Sequence, residues 1–287
     1  MRRRKTFVVQ ARDYRLSVGE RTLLMGILNV TPDSFSGDGV LTQGKDLKAA
    51  VRYGLDMVRQ GADIIDVGGE SSRPGATRIS VAEEIKRVVP VIRELSRKIN
   101  VPISVDTYKP DVASAALDAG ASIVNVIKGT PVSERLLRIV LRYRAAIVLM
   151  HMRGTPKTMQ RHVSYKDVLG EITLEFKKSI EKCIRIGIKR DSIIVDPGIG
   201  FAKTAEQNFL IMKNLSMFRE LNLPILIGPS RKSFIAKVLN LPAGERLIPT
   251  ASTVALSVLG GAHIVRVHDV CEMKQSAEIA DAVVNAN

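Results

Sequence analysis

Eight short apolar runs, each ending in a polar, hydrogen-bonding or ionisable residue and most separated by a long amphipathic stretch, dominate this sequence. They are LLMGILNV ending near Asn29, ADIIDVGGE at Asp66 and Glu70, PISVDT at Asp106, SIVNVI at Asn125, AIVLMH at His151, SIIVDPG at Asp196, PILIGPSRK at Ser230 to Lys232, and HIVRVHD at Arg266 and His268. Apolar runs alternating with helical patterns mark βαβ units and a parallel sheet buried on both faces. Eight such units favour closure into a (β/α)8 TIM barrel over an open doubly wound sheet, and closure brings all eight strand ends to one face, where such barrels keep their chemistry. The intervening helices are expected near 43–60, 80–98, 109–119, 132–143, 164–187, 204–221, either 231–239 or 249–260, and 270–285.

A chain of 287 residues matches one (β/α)8 domain of about 250 residues plus a short extension. No low-complexity linker divides it, so a single domain over 1–287 is expected, with Leu241–Pro249 as a loop within the seventh unit. The extension is TFVVQARDYRLSVGERTL, a short N-terminal β-hairpin over about 6–23 that would plug the closed end of the barrel. With 45% hydrophobic and 25% charged residues the chain can bury a large core and is not a disordered polymer.

Cys183 and Cys271 lie far apart with no Cys or His at ligand spacing, which argues against a disulfide framework or zinc site and for a reducing, cytoplasmic setting. The basic start carries an apolar stretch only from Phe7 to Val9, too short for a secretory signal, and no run approaches the roughly 20 residues of a membrane span. A net charge of +14 draws in anions. The basic residues are spread over many helices without interleaved aromatic rings, so the expected partner is an anionic metabolite, not nucleic acid or membrane.

Chemistry concentrates just after the strands. GILNVTPDSFSGDG places Asn29, Asp33, Ser34, Ser36 and Asp38 on a Pro/Gly-rich loop whose oxygens suit Mg2+ held together with a substrate phosphate, although a polar surface turn explains them equally well. VGGESSRPGATR offers Ser72, Arg73 and Arg78 among glycines, and a guanidinium fork matches phosphate or carboxylate. Asp106, Asn125 and Asp196 sit at the ends of apolar strands, where an unpartnered polar group is costly. Each alone reads as structural; three on one barrel face suit a flat heterocycle with several donors and acceptors, such as an amino-pyrimidine edge.

SRKSF and VRVHD add Arg231, Lys232, Ser233, Arg266 and His268 to the rim. Residues two apart on a strand share a side, so Arg266 and His268 can hold one anion. Arg231 reads as a solvated charge at a helix start, and His162 and His263 as structural or exposed. GIGFAKT resembles a piece of a phosphate-binding P-loop, but Ala202 stands where the motif requires glycine and the spacing fails.

The strings GILNVTPDSFSGDG, GADIIDVGGESSRPGA, PISVDT, IVLMHMRGTP, IIVDPGIGF, GPSRKSFI and VRVHDV resemble the dihydropteroate synthase family, in order and across nearly the whole chain. The resemblance implies a dimeric TIM-barrel transferase, a sulfonamide target, that joins 6-hydroxymethyl-7,8-dihydropterin pyrophosphate to p-aminobenzoate with Mg2+. It assigns the pterin ring to Asp106, Asn125, Asp196 and Lys232. Pyrophosphate falls to Asn29, Arg73, Arg266 and His268, Mg2+ to Asn29 and Asp33, and p-aminobenzoate to Ser72, Arg73, Pro74, Phe201, Lys232 and Ser233. The catalytic set it implies is Asp106, Asp196, Lys232, Arg266 and His268: pyrophosphate leaves first, and the arylamine then attacks a cationic pterin methylene behind closed loops.

The sequence departs from that family's usual pattern at Val126, Ile199, Ala202 and Ser72. Ile199 removes a ring expected near the arylamine, which predicts weaker sulfonamide binding, and Ala202 is mild unless its backbone needs positive φ. A divergent relative using another arylamine, a pterin-dependent methyltransferase module and a non-catalytic pterin binder stay open. The methyltransferase is disfavoured by SRKSF and TPDSFS, and the binder by the surplus of Arg73, Lys232, Arg266 and His268.

Overall fold

The computed structural model describes residues 3–31, 45–71, 75–155, 157–159 and 163–286. A hairpin of β1 (Phe7–Ala11) and β2 (Tyr14–Val18) comes first. Parallel units follow: β3 (Leu23–Asn29), α1 (Lys45–Arg59), β4 (Ile64–Gly68), α2 (Val81–Ser96), β5 (Ile103–Asp106), α3 (Pro110–Asp118), β6 (Ile123–Val126) and α4 (Glu134–Tyr143). The second half contains β7 (Ala146–Met150), α5 (Val168–Ile186), β8 (Ile193–Asp196), α6 (Ala205–Lys213) and β9 (Leu226–Ile227). It ends with α7 (Ser233–Leu239), α8 (Leu247–Gly260), β10 (Ile264–Val267) and α9 (Val270–Asn285).

The eight strands β3–β10 form one parallel sheet in the order β8-β7-β6-β5-β4-β3-β10-β9. The two ends meet where Val195 bridges Ile225 in parallel and the Val195 N–H donates to the Pro224 carbonyl at 3.0 Å. That seam is narrow because β9 has only two residues. All eight strands expected from the apolar runs are present.

Side chains alternate along each strand and divide the apolar residues into two cores. Outward-facing Ile65, Val67, Val105, Val124, Val126, Val195, Val265 and Val267 pack under the helices. Inward-facing Leu23, Met25, Ile64, Ile123, Val148, Ile194, Leu226 and Ile264 fill the barrel and meet Val9, Ala11 and Val18 of the hairpin. The hairpin is therefore the expected plug. Its turn residue Arg12 takes φ 56° and is tied down: its N–H donates to the Arg144 carbonyl at 2.9 Å, and its guanidinium to the Leu117 and Ala121 carbonyls at 2.7 and 2.9 Å.

Three boundaries differ from the expectation. The hairpin ends at Val18, and Leu23 already opens β3, paired with Ile264. The helix expected over 204–221 breaks at Asn214, whose backbone leaves the helical region, and continues as a 3-10 turn over Leu215–Leu221. In the seventh unit both alternatives form, as α7 and α8. The loop there is shorter than Leu241–Pro249, because Pro249 falls in the first turn of α8, where no backbone donor is needed.

Candidate active site at the open rim of the barrel

The inward face of each strand changes character toward its C-terminal end. Ile64 is followed two residues on by Asp66, Ile123 by Asn125, Ile194 by Asp196, and Ile264 by Arg266 and then His268. A period of two thus lays a polar layer directly above the apolar one. Register holds it level, with Asp106 opposite Asn125, Gly68 opposite both Asn29 and Asp106, and Asp196 opposite Met150.

Arg266 is the hub of that layer. Its Nε donates to Asp66 Oδ2 at 2.6 Å and its Nη2 to Asp106 Oδ2 at 2.8 Å. Asn125 Nδ2 donates to the same Asp66 oxygen at 3.0 Å, which fixes the amide and leaves its carbonyl oxygen as an acceptor. Asp66 is fully buried, and its Oδ1 has no hydrogen-bond partner among the described residues. Burial works against the charge on Arg266, but Asp66 and Asp106 outweigh it and hold the guanidinium pKa above its usual value. Burial pushes Asp106 up to about 7, against the pull of Arg266 and with a further push from Asp66.

Asp196 ends β8 and is buried. Burial lifts its pKa to about 6, while the Gly198 N–H bonded to Oδ1 at 2.7 Å and the Lys232 charge oppose the rise. Lys232 Nζ lies 3.7 Å from the centroid of the Phe201 ring, a cation–π contact. Burial and Arg266 bring Lys232 down to about 7, opposed by Asp196 and Asp106. Phe201, Ile127, Met150, Met152, Met159 and Ala202 form an apolar cluster beside these groups. The polar layer therefore has a greasy wall next to it, suited to a flat ring.

Burial, then Arg266 and Arg231, depress the His268 pKa to about 3, which favours a neutral imidazole in the free site. Ser230 Oγ accepts from the His268 N–H at 3.3 Å and lies 2.9 Å from Nδ1. With the Ser230 hydroxyl donating to Nδ1, the ring proton is on Nε2, from which His268 can donate to an anion.

Asn29 ends β3 beside Gly68, where a Cβ would lie 3.6 Å from both Asn29 Oδ1 and Asp106 Cβ. Glycine keeps the gap between those two side chains open. Ser233 opens α7 and is exposed. Asp33, Ser34, Ser36, Asp38, Ser72, Arg73, Pro74 and His162 lie outside the described residues. Arg231 stays partly exposed, as expected of a charge at a helix start, but it is also paired: its guanidinium bonds the Asp269 carboxylate through Nε and Nη2, and its N–H donates to Thr250 Oγ1 at 3.1 Å. His263 is structural, accepting from the Ile225 N–H at 3.1 Å through Nδ1, with Nε2 3.1 Å from the Lys5 carbonyl.

Residues 25–268 match the family model described as pterin binding enzyme. The chain is 46% identical to the dihydropteroate synthase of Synechocystis over 92% of its own length and 91% of that protein. The chain belongs to the dihydropteroate synthase family. The dihydropteroate synthase of Clostridium difficile, solved in the presence of pteroic acid, superposes with a TM-score of 0.87 at 43% identity, covering 93% of this chain and 98% of that one. The Xanthomonas albilineans synthase with 4-aminobenzoic acid gives 0.90 at 35% identity over 99% and 100%.

Two departures from the usual dihydropteroate synthase pattern lie away from the rim. Val126 and Ile199 are buried in the outer core under the helices. Ile199 therefore removes no ring from the arylamine side, and the basis for expecting weak sulfonamide binding falls away. Ala202 does sit at positive φ, 49°, a left-handed conformation that costs an alanine about 1 kcal/mol relative to glycine. Four contributors were not assigned a role from the sequence: Asp66 as the anchor of Arg266, Ser230 behind His268, the methionines of the apolar wall, and Lys203. Asp66 and Ser230 were visible as polar ends of apolar runs, and Met150 and Met152 flank His151 at a strand end.

Proposed function

We propose that this protein condenses 6-hydroxymethyl-7,8-dihydropterin pyrophosphate with p-aminobenzoate to give 7,8-dihydropteroate and pyrophosphate. The observation that carries the reading is the set of partly satisfied carboxylates and an oriented amide, Asp106, Asp196 and Asn125, beside an apolar wall at the barrel rim. Those groups complement the donor-rich edge of an amino-pyrimidine, and ligands in such barrels enter from that face. The C–O bond to pyrophosphate breaks, an N–C bond from the arylamine forms at the same methylene carbon, and the arylamine nitrogen releases a proton to solvent.

Each residue has a part in that transfer. Asp106, Asn125, Asp196 and Lys232 hold the pterin, and the carboxylates stabilise the positive charge that grows as the leaving group departs. Arg266 offers its remaining nitrogen, and His268 its Nε2–H, to the departing oxygens. Lys232 on the Phe201 ring, with Ser233 beside it, meets the benzoate carboxylate. Ser72, Arg73 and Pro74 complete that side in this reading.

Magnesium supplies charge neutralisation on the pyrophosphate. Asn29, a hard amide oxygen next to the gap that Gly68 keeps open, suits it, and Asp33 is its proposed companion. Among the described residues no group of three or more His, Cys, Asp or Glu is placed to hold a metal. Mg2+ held by Asn29 and Asp33 would neutralise charge on the pyrophosphate, and a chelator should abolish turnover reversibly.

Three further points belong to the same reading. The whole chain acts as one domain. It forms a homodimer through α7, α8 and α9, a reading supported by the exposed apolar side chains Val238, Ile248, Leu256, Ile279 and Val283. It works in the cytoplasm, supported by the unpaired Cys183 and Cys271; among the described residues no helix is long and apolar enough to cross a membrane.

The test is incubation with the dihydropterin pyrophosphate, Mg2+ and p-aminobenzoate, with products identified by mass. Equimolar dihydropteroate and pyrophosphate are expected. Pterin binding without product favours a binding-only relative, and product only with a different arylamine revises the acceptor.

A further inference from the structure

Lys203 is buried, and its Nζ lies within hydrogen-bond reach of four acceptors: the Phe201 carbonyl at 2.9 Å, the Gly198 carbonyl at 3.0 Å, His151 Nδ1 at 3.1 Å and the His151 carbonyl at 3.4 Å. A protonated Lys203 has no lone pair, so toward it Nδ1 acts as an acceptor. On the other side of the ring, Nε2 lies 3.2 Å from Glu175 Oε2, a close electrostatic contact without hydrogen-bond alignment. His151 is fully buried, and burial keeps it neutral by pushing its pKa down to about 4. Glu175 is held in turn by Arg153, whose Nη2 lies 2.9 Å from Oε1. A lysine, a neutral imidazole and a carboxylate thus form a line from the loop after β8, through the end of β7, to α5.

The line fastens one particular loop. The position of Asp196 does not depend on it, because β8 pairs with β7 and the His151 N–H donates to the Asp196 carbonyl at 2.9 Å; the Lys203 charge acts on Asp196 only by helping to lower its pKa. Beyond Asp196 the chain leaves the sheet, with Gly198 at φ +67° and Gly200 at φ +81°. Close approach is built in: a Cβ on Gly198 would stand 2.1 Å from the His151 carbonyl, and one on Gly200 2.8 Å from Lys232 Cδ. Phe201 then carries the ring beneath Lys232 Nζ. The nearest carbonyls that Lys203 binds are those of Gly198 and Phe201, on either side of that approach.

We propose that Lys203 is a positioning residue for the acceptor half of the site: through the Gly198 and Phe201 carbonyls and His151, it sets where Phe201 and Lys232 stand. The proposal rests on the synthase reading, in which Phe201 and Lys232 meet the arylamine carboxylate. Loss of Lys203 leaves Asp196 on its strand and frees Phe201. It should therefore weaken the acceptor much more than the pterin, whereas a merely structural defect lowers the amount of active enzyme and leaves both KM values alone.

The experiment compares Lys203→Met with wild type in steady-state kinetics, together with amide hydrogen exchange in the presence and absence of p-aminobenzoate. The expected result is a rise of about ten-fold in KM for p-aminobenzoate with that for the pterin pyrophosphate within about two-fold. Exchange should rise over 197–203 and stay unchanged in β8. If Lys203→Met does not fold, His151→Leu, which removes one acceptor, should shift the same KM in the same direction, and His151→Asn, which restores an oxygen near Nδ1, should recover it. Equal shifts of both KM values, or no shift with faster exchange over 197–203, overturn the proposal. Wild-type enzyme that makes no dihydropteroate indicts the synthase reading instead; unchanged exchange over 197–203 in Lys203→Met then overturns the fastening by itself.

Discussion

The barrel interior consists of two layers on the same strands, two residues apart, and they obey opposite rules. In the lower layer Met25, Ile64, Ile123, Ile194 and Ile264 pack against the hairpin with no polar atom to satisfy. In the upper layer Asp66, Asp106, Asn125, Asp196 and Arg266 are nearly as enclosed but must find partners, and Asp66 Oδ1 finds none among the described residues. The lower layer contributes stability through burial, and its side chains can be exchanged for others of equal volume. The upper layer holds partners of fixed geometry, and stored electrostatic cost is what a charged, donor-rich ligand can relieve. Stability and chemistry are thus separated by a single step of the strand's alternation.

The sharpest way to break that comparison is Arg266→Met. It leaves Asp66 and Asp106 facing each other in a buried site, so it should cost both layers: about 3 kcal/mol of stability and about 1000-fold in kcat/KM. Chemical denaturation and turnover measured on the same preparation test it. Next is Asp196→Asn. Because the Gly198 N–H keeps an oxygen at Oδ1, the new NH2 group is turned toward the ligand's own donors, and kcat/KM should fall about 100-fold with little change in unfolding. Met25→Ala is the converse, costing about 3 kcal/mol in denaturation while kcat/KM stays within about two-fold at a temperature where the variant is folded.

A smaller effect lies in the pH profile. Asp196 must be ionised to accept from the pterin, and its raised value means activity is present above about 6 and lost as pH falls through it. Lys232 must be protonated, and its lowered value means activity is lost as pH rises through about 7 in the free enzyme. A narrow bell in kcat/KM is expected, and Asp196→Asn should leave a simpler acid limb set by Asp106 alone, whose pKa is raised to about 7. The smallest is Ala202→Gly, which relieves the left-handed alanine and should stabilise by no more than about 1 kcal/mol without moving either KM.

The two layers were not equally legible in the sequence. Strand positions and the inward polar residues follow from a period of two, which needs no tertiary information, and so Asp106, Asn125, Asp196, Arg266 and His268 could be placed on one face. The hairpin plug was legible for the same reason, from alternation and turn chemistry. What escaped depends on curvature and on side chains from distant elements. Arg266 meets Asp66 because β10 and β4 both pair with β3, although 200 residues separate the two in the chain. Lys203 read as a broken phosphate loop because its partners are carbonyls of its own turn, Gly198 and Phe201, and His151 from the end of β7. The direction of Ile199 was misjudged because the chain leaves the sheet after Asp196, and the period that orders strand residues stops there. The seventh unit hid two helices because its prolines read as a single loop, although Pro249 sits comfortably in a first helical turn.

The most direct measurement of the central claim is a crystal structure of this protein with pteroic acid bound. The account predicts the pterin edge on Asp106, Asn125 and Asp196 in the upper layer, the aromatic ring along the Phe201 wall, and the benzoate carboxylate at Lys232 and Ser233, with the lower layer unmoved. Pteroic acid bound away from this rim, or seated with its carboxylate on Asp196 and its pterin outside the barrel, would contradict it.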